Sequence, residues 1–253
     1  MAVSMTLAEA WVDRWERQQE RYAVGREERF AAIADVVEEV TRGQPAPLVA
    51  DLGSGPGSLA IRLAARLPHA RILAVDVDPL LLELGRTRAP EAARYVQALI
   101  GEDGWLAALE LDRPLDAAVS TTALHYPEPD RLRAIYRELA AALRPGGVLV
   151  NGDHLAPDGG PALSSLATAV GRGCEQRLGA ASGEDWAGWW AEVRRVPEFA
   201  DLLAARDLRP APATGDGNGL SARAHEELLL AAGFREAGTV WRCGDSCVLV
   251  AVR

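Results

Sequence analysis

A glycine-rich turn is the segment whose residue types and spacing most clearly suggest chemistry. Gly53, Gly55 and Gly57 occupy alternate positions directly after the apolar run Leu48–Leu52, and a helical pattern begins near Ser58. Glycine permits a positive φ and lets a ligand approach the backbone closely. Nucleotides bind where such a turn leaves a helix N-terminus at the carboxyl edge of a sheet. The pattern therefore predicts a site for an adenosine-containing ligand.

A second candidate ligand-binding residue follows the next apolar run, Ile72–Val75. Asp76 stands 19 positions after Gly57, near the spacing of about 20 residues at which an acidic side chain reaches ribose hydroxyls in such a crevice. Asp78 precedes Pro79, an order typical of a helix N-cap and the first helical residue. We therefore predict that Asp76 binds the ribose, with Asp78 as the alternative, and that Asp78 caps the next helix.

Four landmarks in order along the chain resemble class I S-adenosylmethionine-dependent methyltransferases. They are Asp51–Gly57, the acidic strand end Asp76, the turn Leu143–Val148 before a fifth strand, and Ala232–Phe234 before a terminal hairpin. A glycine triplet alone is weak evidence, whereas four ordered landmarks are specific. The resemblance covers about residues 26–253 and implies a Rossmann-like α/β fold with seven strands, the last of them antiparallel.

The resemblance also implies the cofactor, S-adenosyl-L-methionine, with S-adenosyl-L-homocysteine as product. By similarity the methyl donor would lie over Gly53–Gly57, Asp51 would help to hold its amino acid end, and Asp76 its ribose. The residues expected at the cofactor are Asp51, Gly53, Ser54, Gly55, Gly57, Asp76, Val77, Glu102, Asp103 and Ser120.

The position that would face the adenine departs from the family pattern. Similar enzymes carry an acidic residue just after the third strand, but Gln97–Gly101 is uncharged. Glu102 or Asp103 could take this role from further along the chain, or both could belong to a solvated turn. Trp105 could lie against the adenine or pack in the core.

Two of the four histidines follow the fourth and fifth candidate strands. Methyl transfer from a sulfonium is an in-line displacement, so the protein must hold the nucleophile near the methyl group and, where needed, accept its proton. His125 and His154 are therefore the candidate catalytic bases, although a structural or pocket-lining role is the alternative. A metal held by these two histidines and Asp153 has little support, and we predict no metal. His69 and His225 are predicted to be surface or packing residues.

Short apolar runs that alternate with helical patterns must position these residues. Such runs are typical of buried parallel strands joined by helices. The predicted strands are Leu48–Leu52, Ile72–Val75, Tyr95–Leu99, Ala117–Val119 and Val148–Val150, followed by a helix at Ser221–Ala232 and a hairpin around Ala237–Arg242 and Cys247–Val252. The pattern predicts a doubly wound α/β domain.

Helical additions flank this core, and we predict one domain in four parts. These are an N-terminal helical cap (1–45), the donor-binding core (46–154), a helical insertion or lid (155–219) that ends in a turn-rich connector, and a C-terminal part (220–253) that completes the core. Tryptophans recur on helical faces in both additions, at Trp11, Trp15, Trp186, Trp189 and Trp190. Such stripes usually pack in a core, but they could also line a lid over a flat or apolar small molecule.

Charge and composition limit the classes of binding partner and of catalytic chemistry that this chain can have. The 36 acidic residues exceed the 27 basic ones, and the net charge of −9 argues against nucleic acid and membrane surfaces. Every basic residue is Arg, so Schiff-base and general-base lysine chemistry is excluded. Deprotonation of an acceptor must then involve His, Tyr, a carboxylate or water.

Cysteine usage and the N-terminal residues predict a cytoplasmic protein. The three cysteines are an odd number, which fits a reducing compartment better than a disulfide framework. Cys243 and Cys247 have no second Cys or His pair at metal-ligand spacing, which argues against zinc. The first 25 residues carry charges and no apolar signal region.

Together these features predict a methyltransferase that acts on the O, N or C atom of a small organic acceptor, as a monomer or homodimer. One alternative is a protein that binds the donor without transferring its methyl group. A nicotinamide-dependent dehydrogenase is less well supported, because its fingerprint requires Gly or Ala where this chain has Ser58.

Overall fold

A computed structural model describes residues 3–20, 22–23, 25–178, 184–209 and 217–253. The strands are β1 (Leu48–Leu52), β2 (Arg71–Asp76), β3 (Arg94–Gln97), β4 (Leu115–Thr121), β5 (Leu143–His154), β6 (Glu236–Cys243) and β7 (Ser246–Val252). The α-helices are α1 (Met5–Glu20), α2 (Arg26–Val40), α3 (Ser58–Arg66), α4 (Pro79–Arg88), α5 (Pro129–Ala142), α6 (Pro161–Leu178), α7 (Trp186–Val193), α8 (Ala200–Asp207) and α9 (Ala222–Ala232).

The strands form one sheet in the order β3-β2-β1-β4-β5-β7-β6. Strands β1 to β5 pair in parallel, whereas β7 runs antiparallel to both β5 and β6. The predicted doubly wound, Rossmann-like fold with an antiparallel last strand is confirmed. The strand order reverses between β1 and β4, which places a crevice at their carboxyl ends.

The strand boundaries differ in part from those predicted. β1 coincides with its predicted run, and β2 and β4 extend beyond theirs at both ends. β3 ends two residues early, because the N–H of Glu102 donates to the carbonyl of Leu99 and closes a turn. The predicted turn at Leu143–Val148 lies within β5. Pairing with β4 begins at Leu143 and resumes at Val148 after a shift in register, since Gly146 has a φ of 74°.

Three apolar clusters hold the layers together. One face of the sheet packs against α5 and α9, with Leu149 of β5 among its buried residues. The other face packs against α2 and α3, with Val150 on that side. A third cluster joins α1, α4, α7 and α8 and contains Trp11, Trp15 and Trp189. Helix α1 and the insertion therefore share an apolar cluster with α4.

The insertion is helical over the part that the structure describes. Residues 155–178 and 184–209 contain α6, α7 and α8, and the bridge from Ala156 to Ser221 is isolated from the sheet. Residues 214–216 of the predicted connector lie outside the described residues. No helix in the described ranges has both the length and the apolar character to cross a membrane.

Candidate active site

The glycine turn lies at the carboxyl end of β1 and leads directly into α3. Gly53, Gly55 and Gly57 have φ values of 71°, 55° and 85°, a region that side chains with a Cβ rarely adopt. The N–H groups of Gly53 and Ser54 both donate to the carbonyl of Val75 in β2. A Cβ on Gly53 would lie 2.2 Å from the Cβ of Ala123. This turn therefore requires glycine at position 53.

Asp76 fixes the turn from the neighbouring strand. Its Oδ2 accepts the N–H of Gly55 at 2.7 Å, and its Oδ1 accepts the N–H of Asp78 at 2.9 Å. Burial raises the pKa of Asp76 to about 6, against the opposing effect of these N–H groups. Because each carboxylate oxygen can accept more than one hydrogen bond, ribose hydroxyls could still bind here.

Asp78 is the N-cap of α4, as predicted. Its Oδ1 accepts the N–H groups of Leu80 and Leu81, and its Oδ2 accepts from Nε of Arg206 at 2.7 Å. Asp78 thus has three protein donors, one of them a guanidinium, whereas the two donors to Asp76 are single backbone N–H groups, one on each oxygen. Asp76 therefore fits a ribose better.

Asp51 is a buried carboxylate with an unused oxygen. Its Oδ2 accepts the N–H of Ala60 at 3.1 Å, while its Oδ1 has no hydrogen-bond partner among the described residues. Burial raises the pKa of Asp51 to about 7; the N–H of Ala60 opposes this shift, and the charge of Asp76 adds to it. An ammonium group of a ligand would satisfy the free oxygen.

The other predicted cofactor residues differ in their surroundings. Ser54 is buried within the turn. The hydroxyl of Ser120 donates to the carbonyl of Leu52 at 2.8 Å, so it joins β4 to β1. The carbonyl of Val77 accepts from Gln97. Glu102 and Asp103 are exposed, and an adenine contact by either stays a prediction.

Trp105 does not lie at this crevice. Its ring is buried in the core beside α5, and its Nε1–H donates to Glu138. Of the two roles predicted for Trp105, the structure shows core packing.

His125 and Asp153 form a pair at the ends of β4 and β5. The Nδ1 of His125 lies 2.7 Å from the Oδ1 of Asp153. Asp153 is fully buried, whereas 21% of the His125 side chain is exposed. Burial alone would raise the pKa of Asp153, but the hydrogen bond and charge of His125 and the charge of Arg29 hold it below its usual value. A buried carboxylate thus orients a histidine that a ligand can reach.

His154 is directed elsewhere. Alternate residues of a strand point to opposite faces, so His154 shares the face of Val150 and Asp153 the face of Leu149. The Nδ1 of His154 lies 3.3 Å from Asp245 in the turn between β6 and β7. The structure therefore does not bring the two predicted bases together.

The loop that carries His125 packs directly on the glycine turn. Ala123 fills the space that a side chain on Gly53 would take. Thr122 has a φ of 52°, an unusual conformation for a β-branched residue that the surrounding structure must enforce. Its N–H donates to the carbonyl of Gly152 in β5 at 3.0 Å. The loop is thus fixed between the predicted donor site and the strand that carries Asp153.

Helix α1 covers the glycine turn from the cap. The Cζ2 atom of Trp15 is 3.5 Å from the position that a Cβ on Gly55 would occupy, and Glu16 accepts a hydrogen bond from the hydroxyl of Ser58. Gln18 lies on the same buried face of α1, one turn further on, and among the described residues neither of its side-chain amide atoms has a partner. An enclosed polar group of this kind suits a ligand contact.

The tryptophans pack mainly against one another. Trp189 is fully buried, and its ring lies 5.6 Å from Trp11 and 5.1 Å from Trp15, both edge to face. Trp186 is 41% exposed and contacts Trp15. Of the two predicted roles, packing accounts for most of the cluster, and Trp15 is the described tryptophan that lies against the glycine turn.

Asp153 and Gln18 are the site residues that sequence reasoning missed. Asp153 was predictable in part, because it ends a strand beside one candidate base. Gln18 stands between Trp15 and Tyr22 on a helical face, but a single glutamine carries no signal of its burial. Among the described residues, no three His, Cys, Asp or Glu side chains are grouped to hold a metal ion.

Part of this chain is similar in sequence to known methyltransferases. Residues 49–147 match the family model of a methyltransferase domain. The 4-amino-L-phenylalanine/4-methylamino-L-phenylalanine methyltransferase of Streptomyces pristinaespiralis is 34% identical over 143 residues, covering 47% of this chain and 48% of that protein. The trans-aconitate 2-methyltransferase of Methylobacterium nodulans is 36% identical over 123 residues, covering 49% of this chain and 44% of that protein.

Solved structures share the fold. The amino pentose methyltransferase CalS10 of Micromonospora echinaspora, solved with S-adenosylmethionine bound, has a TM-score of 0.54 and 18% identity, over 89% of this chain and 90% of that one. The chain spans about half the length of the curated relatives it matches. The matched region contains the glycine turn, Asp76 and His125.

Proposed function

We propose, from the match of residues 49–147 to the family model of a methyltransferase domain, that this chain is a class I S-adenosylmethionine-dependent methyltransferase that transfers a methyl group to a small organic acceptor. One observation carries the proposal beyond the family. The loop with His125 rests on the glycine turn through Ala123, and His125 is held by a buried carboxylate. This arrangement supports His125 as a base beside the predicted donor site, where an acceptor would lose its proton.

The residues around the glycine turn fit the predicted donor. When bound, S-adenosylmethionine supplies a methyl group activated by a positively charged sulfur. Asp76, with both oxygens already fixed by backbone N–H groups, would accept from the ribose hydroxyls. Asp51, whose Oδ1 has no partner among the described residues, would take the ammonium of the amino acid end. Asp51 would thereby gain the partner that its buried oxygen lacks.

His125 would act as the general base through its Nε2 atom. Because Nδ1 lies within hydrogen-bond distance of an ionised carboxylate, the Nδ1–H tautomer is favoured and Nε2 keeps a free lone pair. Asp153 would then stabilise the imidazolium that forms when the acceptor loses its proton. General-base catalysis of this kind contributes about 10²- to 10⁴-fold to a rate.

The cap would limit the acceptor to a small molecule. Helix α1 lies over the glycine turn with Trp15 and the enclosed amide of Gln18, and α7 packs behind it. We propose that Gln18 hydrogen-bonds a polar group of the acceptor or donor. The relatives, which include an aminophenylalanine and a trans-aconitate methyltransferase, support a small organic acceptor.

The proposal also covers the class of partner, the cellular location, the oligomeric state and the adenine contact. A net charge of −9 supports a small-molecule partner over nucleic acid or a membrane surface. We propose that the chain works in the cytoplasm as a monomer or homodimer, with Glu102 or Asp103 near the adenine.

Calorimetry with S-adenosylhomocysteine and with NAD tests the cofactor. We expect the first to bind and the second not, and Asp76→Ala or Gly55→Val to abolish binding. Preferred binding of NAD, or unchanged binding by both variants, would overturn the assignment.

Turnover tests the transfer reaction. Release of S-adenosylhomocysteine is measured with a panel of small acids, amines and phenols, and with a peptide as the representative of a protein acceptor. We expect turnover with a small acceptor. Tight donor binding without turnover across the panel would favour the alternative of a donor-binding protein that transfers no methyl group.

A further inference from the structure

Two cysteines that are far apart in sequence meet at the edge of the cap. The Sγ of Cys174 in α6 lies 2.7 Å from the Sγ of Cys243 at the end of β6, across 69 positions of sequence. Both are free and partly buried, whereas the third cysteine, Cys247, is fully buried in β7. The separation of the two sulfurs exceeds the length of a disulfide bond by only about 0.7 Å.

The backbone at this contact allows the two cysteines to approach. Gly171, one helical turn before Cys174, faces Gly244, the residue after Cys243. A Cβ on Gly244 would lie 2.9 Å from the Cα of Gly171, so any side chain at position 244 would push the helix away. The close approach of helix and hairpin is what brings the sulfurs within bonding reach.

Helix α6 makes few other packing contacts among the described residues. None of the residues of α6 whose exposure is described is buried, and Leu163, Leu166 and Val170 are all more than half exposed. Within the described residues, α6 packs against β6. A covalent link from Cys174 to Cys243 would therefore be a major restraint on this helix.

We propose that Cys174 and Cys243 form a reversible intramolecular disulfide that fixes α6 to the β6–β7 hairpin. The oxidant is a low-molecular-weight disulfide such as oxidised glutathione. One protein thiolate attacks it, which breaks its S–S bond and releases one glutathione thiolate. The second protein thiolate attacks the resulting mixed disulfide and releases the other. Two protons leave the protein, and its two electrons reduce the oxidant to two thiols.

The surroundings of Cys243 keep its thiol protonated in the reduced protein, because burial and the neighbouring Cys174 raise the pKa of Cys243 to about 11. Cys243 stands two residues before Asp245, whose carboxylate contacts His154 and whose carbonyl accepts the N–H of Leu155. The link would therefore restrain the hairpin beside the carboxyl end of β5.

The test uses the full chain equilibrated in glutathione buffers from reducing to oxidising. After free thiols are alkylated, intact mass and peptide mapping identify the bonded cysteines. We expect the free thiols to fall from three to one, with a link between Cys174 and Cys243 in one chain that reductant reverses. The apparent Tm should rise by roughly 5 °C, and hydrogen exchange in α6 should slow.

Matched variants make the outcome decisive. Cys247→Ala keeps both partners and should still form the link, whereas Cys174→Ser and Cys243→Ser should each take up one glutathione and form none. A bond involving Cys247, a bond between chains, or glutathione adducts without a link would overturn the proposal. A link with no effect on Tm or exchange would refute its role in fixing α6. None of these measurements depends on methyl transfer, so the proposed function can fail independently.

Discussion

The Nδ1 of His125 and the Oδ1 of Asp153 lie 2.7 Å apart, although the two residues follow different strands. Asp153 is fully buried and His125 is partly exposed. The charges of His125 and Arg29 help to keep the pKa of Asp153 below its usual value. This combination of an ionised, enclosed carboxylate with an accessible imidazole identifies His125, rather than His154, as the better candidate base.

Replacement of His125 by Ala should lower kcat about 10²-fold or more, because the acceptor loses its general base. Asp153→Asn should lower kcat less. The Nε2 atom of His125 can still accept a proton, but the tautomer that leaves Nε2 unprotonated is no longer favoured. The Kd of S-adenosylhomocysteine should change little in either variant. Steady-state kinetics with the acceptor found in the panel, together with calorimetry, measures both.

His69→Ala is the control, because His69 is exposed on the segment between α3 and β2. His154→Ala separates the two candidate bases. An unchanged rate in His125→Ala, or an equal loss in His154→Ala, would show that His125 is not the base.

Local patterns in the sequence were enough to predict much of the fold and the conformation of the glycine turn. The glycine turn, the capping role of Asp78 and the run that forms β1 depend on neighbouring residues. These features are determined by backbone conformation and by hydrogen bonds between residues close in sequence.

The pairings across the site could not be predicted in the same way. Whether His125 meets Asp153 or His154 depends on the strained loop at Thr122 and on which face of β5 each side chain takes. The approach of Cys174 to Cys243 depends on how α6 crosses the hairpin at Gly244. Such contacts are set by packing between distant elements, which composition and periodicity do not encode.

Gly53→Ala should destabilise the chain far more than Gly43→Ala. Both glycines have a positive φ, which costs a residue with a Cβ about 1–2 kcal/mol. A Cβ at position 43 would meet nothing within 4 Å, whereas one at position 53 would lie 2.2 Å from the Cβ of Ala123. We expect this overlap to add about 1–3 kcal/mol and to weaken donor binding. Urea unfolding and calorimetry measure the two effects, and equal losses of stability in both variants would contradict the described contact.

The stability of the ligand-free chain should depend on the ionisation of Asp51. The pKa of Asp51 rises from an ordinary value of 3.8 to about 7 in the fold. Between these values the folded state holds a proton that the unfolded state has lost, so this contribution to stability is complete below pH 3.8 and is lost as the pH rises through about 7. The loss amounts to about 2–4 kcal/mol.

Asp51→Asn isolates this contribution, because its side-chain oxygen can still accept the N–H of Ala60 but cannot ionise. Relative to the original chain, the variant should gain stability between pH 5 and pH 8 in urea unfolding, while its affinity for S-adenosylhomocysteine falls. A difference in unfolding free energy that does not change with pH would contradict the burial of an ionisable Asp51.

Trp15 should report on the donor site and contribute to it. Its ring stands 3.5 Å from the position of a Cβ on Gly55, so a ligand over the turn must contact the indole. We expect Trp15→Leu to weaken S-adenosylhomocysteine binding about tenfold, equivalent to ~1.4 kcal/mol. Trp186→Leu is the control, because Trp186 is 41% exposed and contacts the ring of Trp15; it should change the Kd little. Trp15→Phe, which keeps an aromatic ring in the cap, should bind nearly normally but lose most of the change in tryptophan fluorescence that accompanies binding. A full fluorescence change in that variant, with normal binding by Trp15→Leu, would place the ligand away from α1.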